Sequence, residues 1–181
     1  MASERFRELV RPQEMVHRII WMAFIAAVPM YVCVIYMLLG RGVGGGGAFA
    51  ANPLTIPLVI LSVLSAGLAP YMPRILLPDS RLRELFNRPA DQKATSGISA
   101  DEQRLLAMLP NLFVGFLVRL AFNESIALYG FVLAILSKSF IEILPFAIVS
   151  FALNWMVPLP LDSVRQRIAS LGLQEGGGST T

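Results

Sequence analysis

The sequence has few of the residues from which soluble enzymes and metal sites are built. Only 15% of its 181 residues are charged, whereas a soluble domain has about 25%. A single cysteine, Cys33, excludes a disulfide framework and a paired-cysteine metal site. A single histidine, His17, cannot form a multi-histidine centre. We therefore expect no metal and no cofactor.

Apolar residues dominate what is present. They make up 55% of the chain, and the mean hydropathy is +0.64. Four apolar stretches are close to the ~20 residues that cross ~30 Å of hydrocarbon, at residues 19–39, 54–72, 112–136 and 140–157. The sequence predicts an all-α integral membrane bundle of four transmembrane helices with antiparallel, up-and-down topology.

Capping and breaking residues indicate where these helices begin and end. Asn52-Pro53 is a cap residue followed by proline at the first helical position of the second span. Pro70 and Pro73 break that span near its end. A capping box begins at Ser99, so the third helix can start as early as Ala100. The short link at residues 137–139 predicts an antiparallel return of the fourth span.

The distribution of basic residues predicts the orientation. Twelve of the 15 Lys and Arg residues lie in the segment 1–18, the polar loop 74–104 and the tail 162–181, which flank or interrupt a transmembrane domain at residues 19–161. Because basic residues are retained on the cytoplasmic side, both termini and this loop are expected to be cytoplasmic, in a bacterial inner membrane. The end of the tail, rich in glycine, is expected to be disordered. Aromatic residues typical of interfaces lie near the same ends of the spans: Trp21, Tyr71 and Trp155.

A removable signal peptide is the competing interpretation of the first span. Residues 48–50 have the small-residue spacing of a cleavage site. The apolar stretch is longer than the 7–15 residues of a signal core, and the cleavage site lies well beyond its end. The pattern favours a retained membrane anchor.

Glu124 is the most informative polar residue because it lies in the middle of the third span. A carboxyl group at that depth costs about 2.5–3.5 kcal/mol on insertion scales, so it is expected to face a partner, a water-filled cavity or another subunit. Burial away from water disfavours its ionised form. Two interpretations follow: a proton- or cation-carrying carboxylate, or a protonated glutamate that hydrogen-bonds neighbouring helices together.

Small residues beside Glu124 predict a close helix contact. Ala127, Gly130 and Ala134 recur at spacings of three and four, which lets another helix approach closely.

The polar residues near Glu124 differ in where they point. Arg119 lies about 140° away around the helix, so the two side chains are not expected to pair. Asn123 shares the face of Arg119. Elsewhere, Glu142 is predicted to be a solvated carboxylate at the outer edge, and His17 a surface histidine at the cytoplasmic interface.

The residues around Glu124 resemble a known family. The run from Ala121 to Leu136 resembles the ion-binding helix of rotary ATPase proteolipids, the c-type subunits: a midmembrane acid, a small residue, an apolar pair, an aromatic residue, glycine and an aliphatic run containing alanine. The chain is also similar to small four-span bacterial membrane proteins of unassigned function. The proteolipid resemblance implies that Glu124 binds the proton, with Ser125, Tyr129, Gly130 and Ala134 matching by type and position.

Three functions remain open at this stage. The first is a proteolipid-like or proton-handling element, and the second is an accessory subunit of a larger membrane complex. The third, a solute carrier, has least support because no inverted repeat is evident. It is expected not to be an enzyme, because no nucleophile–base pair, metal cluster or nucleotide loop can be assembled. The expected partners are the lipid bilayer and other membrane subunits or further copies of itself, and neither nucleic acid nor nucleotide.

Overall fold

A computed structural model describes residues 4–39, 53–76, 78, 80, 84 and 100–157. These residues contain helices and no strand, so the prediction of an all-α fold is confirmed for them. The helices whose limits lie within this part of the chain are, in order, α1 (Glu4–Leu39), α2 (Thr55–Leu68), α3 (Met72–Leu76), α4 (Ala100–Ser137), a short 3₁₀ helix (Phe140–Glu142) and α5 (Ile143–Trp155).

Within the described residues, two helices are long and apolar enough to cross a membrane. They are Glu4–Leu39 and Leu106–Ser137. Two further apolar helices are shorter, Thr55–Leu68 and Phe140–Trp155.

Several helix ends agree with the sequence signals. Helix α1 ends at Leu39, and α4 begins at Ala100 and ends at Ser137. Lys138 then adopts the left-handed backbone conformation with φ of 54°. The main-chain nitrogen of Ser139 donates to the oxygen of Ala134 at 3.1 Å, which closes the tight turn before the chain returns.

Other ends differ from the prediction. Helix α1 begins at Glu4, well before Ile19. Pro53 lies in a turn, and α2 starts at Thr55 with Leu54 at its N-cap, so the predicted start at Pro53 is wrong. The end of α2 at Leu68, two residues before Pro70, agrees with the predicted break at that proline, and the Tyr71 nitrogen donates to the Leu68 oxygen at 2.9 Å in the turn that follows.

Several predicted features fall in parts of the chain that the structure does not describe. The capping residues Asn52 and Ser99, the cleavage motif at residues 48–50, most of the loop 74–104 and the tail 162–181 lie outside the described residues.

The chain divides into two compact units. The first unit contains the described parts of residues 1–18 and 73–116. Its core brings Phe6 and Val10 of α1 against Leu109 of α4. The second unit comprises Ile19–Met72 and Leu117–Val157.

Two apolar clusters on neighbouring faces of α4 form the core of the second unit. The first joins α1, α4 and α5 through Val28, Ile35, Ala127, Ala134, Ile143 and Ala147. The other centres on Ile126, Leu133 and Phe146 and adds residues of α2, including Leu58 and Val59. Helix α4 is therefore the central element that holds the other helices of this unit.

Candidate functional site

Glu124 is buried inside the second unit, with 7% of its surface exposed. It shares a face of α4 with Ala127, the face that packs against α1. The carboxyl group lies within reach of the Tyr31 hydroxyl on α1 and the Asn154 amide on α5. Neither of its oxygens has a well-formed hydrogen bond to a described residue.

The return of α5 along α4 brings Asn154 to Glu124. After the turn at Lys138, Phe146 packs against Gly130. Glu124 lies about 20 Å along α4 from Ser137, and Asn154 lies about 17 Å along α5 from Ile143, at a rise of 1.5 Å per residue. The similar lengths explain why the two side chains lie at one level.

Further buried polar atoms on α4 and α5 lack partners within the described part of the chain. The amide nitrogen and oxygen of Asn154, the hydroxyl of Ser150 and the Asn123 amide oxygen are buried and have no hydrogen-bond partner among the described residues. Ser150 and Asn154 lie one turn apart on α5, and both are fully buried. Each unpartnered buried polar group costs about 1–3 kcal/mol. Buried polar groups without protein partners require an explanation, such as bound water or a functional role.

The other predicted polar residues are not assembled around the carboxyl group. Arg119 is half-buried, and its Nε has no partner in the described part of the chain. The Ser125 hydroxyl donates to the main-chain oxygen of Phe122 at 2.7 Å. Tyr129 packs on the cluster around Ile126, on another side of α4 from Glu124.

The small residues Ala127, Gly130 and Ala134 are all buried. A Cβ atom added to Gly130 would lie 2.5 Å from the Cβ of Phe146. The close contact therefore forms between α4 and α5 of the same chain.

The structure overturns two predictions. His17 is 5% exposed rather than a surface residue. Its ring centroid lies 4.7 Å from that of Phe113, with the rings tilted by 40°, because the long α1 turns the face of Phe6 and Val10 toward α4 and His17 follows on that face. Glu142 is 4% exposed rather than solvated, and its Oε2 has no partner among the described residues. Glu142 is the last residue of the 3₁₀ helix that directly follows the turn, and its side chain is buried there.

Sequence reasoning did not identify Tyr31 and Asn154 as neighbours of the acid. The signal was present for Asn154, which is a strongly polar residue in an apolar span. The described residues contain no group of three or more His, Cys, Asp or Glu side chains that could hold a metal ion.

Comparisons of the chain with protein-family models, with curated proteins and with solved structures gave no match.

Proposed function

We propose that this chain is a small four-span membrane protein in which Glu124 binds and releases a proton. One observation carries the proposal: both oxygens of a buried carboxyl group lack a well-formed hydrogen bond, although Tyr31 and Asn154 lie beside them. A carboxyl group kept only to join helices is expected to use its hydrogen bonds fully. The resemblance of residues 121–136 to a proteolipid helix supports the same role.

The exposure of apolar surface supports a membrane location. Only 11% of the most apolar 18-residue stretch of α1 is buried, and 44% of the corresponding stretch of α4. The core helix of a soluble protein, by contrast, is mostly buried. Large apolar side chains of the shorter helices are also exposed, among them Ile56 and Val63 of α2 and Ile148 of α5. Val28 and Ile35 contribute to the core, which supports α1 as a retained span rather than a removed signal peptide.

The proposed topology has both termini and the loop 74–104 in the cytoplasm of a bacterial inner membrane. In a Cys33→Ser background, a membrane-impermeant thiol reagent added outside should label Gly45→Cys and Lys138→Cys. Ser80→Cys should be labelled only after the membrane is opened. Labelling of Gly45→Cys from the cytoplasm alone would contradict the four-span arrangement.

The proton-binding role predicts selective chemical modification. Dicyclohexylcarbodiimide reacts with protonated carboxyl groups in apolar surroundings, so it should modify Glu124 at near-neutral pH. Modification should fall as the pH is raised, because the ionised carboxylate does not react. Mass spectrometry of peptides from the intact protein in vesicles measures the extent at each carboxyl group.

Two variants serve as controls for this labelling. Glu124→Gln should abolish it and any proton-linked activity while the protein still assembles. Glu142→Gln should leave modification of Glu124 unchanged, although Glu142 is also buried. Lack of modification of Glu124 at every pH, in a folded protein, would refute the proton-binding role.

An accessory subunit of a membrane complex is the second candidate. It is favoured by the fact that Glu124 lies between side chains of two other helices, Tyr31 of α1 and Asn154 of α5, where a protonated carboxyl could join all three. Purification in mild detergent distinguishes the candidates: unlike subunits in fixed ratio favour the accessory role. A homo-oligomer that retains carbodiimide sensitivity favours proton handling.

A further inference from the structure

His17 belongs to an apolar seam between α1 and α4 in the first unit. Apolar and aromatic side chains recur at helical spacing on one face of each helix. Phe6 and Val10 pack against Leu109, and the ring of His17 lies beside two phenyl rings. These two rows, which we call the α1–α4 seam, are Phe6, Val10 and His17 of α1 and Leu109, Phe113 and Phe116 of α4. Of these six residues, His17 is the one that titrates.

Two phenyl rings flank the imidazole of His17. Its centroid lies 4.7 Å from that of Phe113, and 6.0 Å from that of Phe116, whose ring meets it edge-on. Only 5% of His17 and 5% of Phe116 is exposed. A phenyl ring has no lone pair to accept an N–H hydrogen bond, so it cannot replace the water that a protonated imidazole binds. The seam therefore favours the neutral ring.

One negative charge lies close to His17. It is the carboxylate of Glu14, one turn earlier on α1. On α4, no residue from 109 to 116 is charged. The next charged residues along the helices that form or adjoin the seam are all positive: Arg18 on α1, Arg104 and Arg119 on α4, and Arg74 on α3.

The balance between burial and Glu14 determines how the seam depends on pH. His17 lies two residues before the first predicted span. Burial lowers the pKa of His17 below its usual 6.5, and the attraction of Glu14 raises it only in part. A histidine released from the seam regains the usual pKa, so the open seam binds a proton more strongly than the closed one. The closed seam is therefore fully stable above about pH 6.5 and loses stability as the pH falls from 6.5 to the lowered pKa.

We propose that His17 is a pH-sensitive switch: the neutral ring keeps the α1–α4 seam closed, and protonation drives the ring out from between the phenyl rings and opens the seam. A proton from water binds the unprotonated ring nitrogen, and its loss restores the neutral ring. The switch responds to the pH on the side of the membrane where the N-terminus lies. It is independent of the proton binding proposed for Glu124.

The test uses the full-length protein in lipid nanodiscs, with a purification tag that contains no histidine. Because the chain has one histidine, nitrogen-15 NMR of labelled histidine follows the titration of His17 alone, and its midpoint should lie below 6.5. Hydrogen exchange of the main-chain amides of residues 4–17 measures opening of the seam. The ratio of exchange rates between the wild-type protein and His17→Phe cancels the intrinsic effect of pH. That ratio should rise by up to about tenfold for each pH unit below 6.5, until the midpoint is reached.

Variants of His17 separate its charge from its packing. His17→Phe and His17→Leu keep an apolar side chain in the seam and remove the titration, so both should stay protected at pH 5.5. His17→Arg carries a permanent charge, so residues 4–17 should exchange rapidly even at pH 7.5.

Two glutamates of α1 provide a matched pair. Glu14→Gln removes the nearby negative charge and should move the His17 midpoint to lower pH. Glu8→Gln removes the same charge on the opposite side of the helix, because nine residues at 100° each place Glu8 half a revolution away from His17. Its midpoint should remain that of the wild-type protein.

Three results would overturn the switch. A midpoint at or above 6.5 would mean that the phenyl rings stabilise the imidazolium by cation–π interaction. A low midpoint with the same exchange in wild type and His17→Phe at every pH would mean that His17 titrates inside a closed seam. Full protection of His17→Arg at pH 7.5 would mean that the seam tolerates a positive charge.

Discussion

Glu124→Leu is expected to raise the free energy of unfolding by about 1–3 kcal/mol while it abolishes carbodiimide modification. Neither oxygen of the buried wild-type carboxyl group has a well-formed hydrogen bond to a described residue, so much of the group's desolvation cost is not offset. Leucine of similar size removes that cost, and exchange of buried charged pairs for well-packed apolar side chains is often neutral or stabilising. Unfolding with increasing denaturing detergent in mixed micelles measures the change.

Glu124→Gln is the matched control for this substitution. The amide keeps the size and polarity of the side chain, so stability should change little, whereas modification should be lost as completely as in the leucine variant. The opposite pattern, an unstable leucine variant and a stable glutamine variant, would mean that Glu124 joins the helices through its hydrogen bonds. Proton binding would then lose its main support.

The helices could be predicted well where local chemistry determines their ends. The end of α1 at Leu39 and the limits of α4 at Ala100 and Ser137 follow from apolar patterning and capping residues. The start of α2 could not be predicted in the same way, because Leu54 forms its N-cap without any side-chain hydrogen bond. The early start of α1 at Glu4 depends on packing of Phe6 and Val10 against Leu109, a contact between residues far apart in sequence.

The candidate site was predictable only in part for the same reason. The burial cost of one acid in an apolar span identifies Glu124 from sequence alone. Its neighbours Tyr31 and Asn154 depend on the rotation and register of α1 and α5 relative to α4, which a single sequence does not specify. His17 was predicted to be exposed because it lies between Glu14 and Arg18, and Glu142 because it lies near the outer end of its span. Both side chains are nevertheless buried.

The register that brings Asn154 to Glu124 depends on the contact between Gly130 and Phe146. Gly130→Ala is expected to lower the free energy of unfolding by about 1–3 kcal/mol, the usual cost of overpacking a core. The new methyl group would lie 2.5 Å from the Phe146 Cβ, closer than real Cβ contacts, and both residues are buried. The two helices must therefore move apart, and detergent-induced unfolding should detect the loss.

Gly67→Ala is the matched control because Gly67 is also in a helix, but a Cβ atom there meets nothing within 4 Å. It should raise stability by up to about 1 kcal/mol, since alanine favours helix more than glycine does. The same displacement that destabilises Gly130→Ala should carry Asn154 away from Glu124, so pH-dependent modification of Glu124 should change in this variant and not in Gly67→Ala. Equal stability of the two variants would contradict the close contact of α4 with α5, and with it the alignment of Asn154 and Glu124.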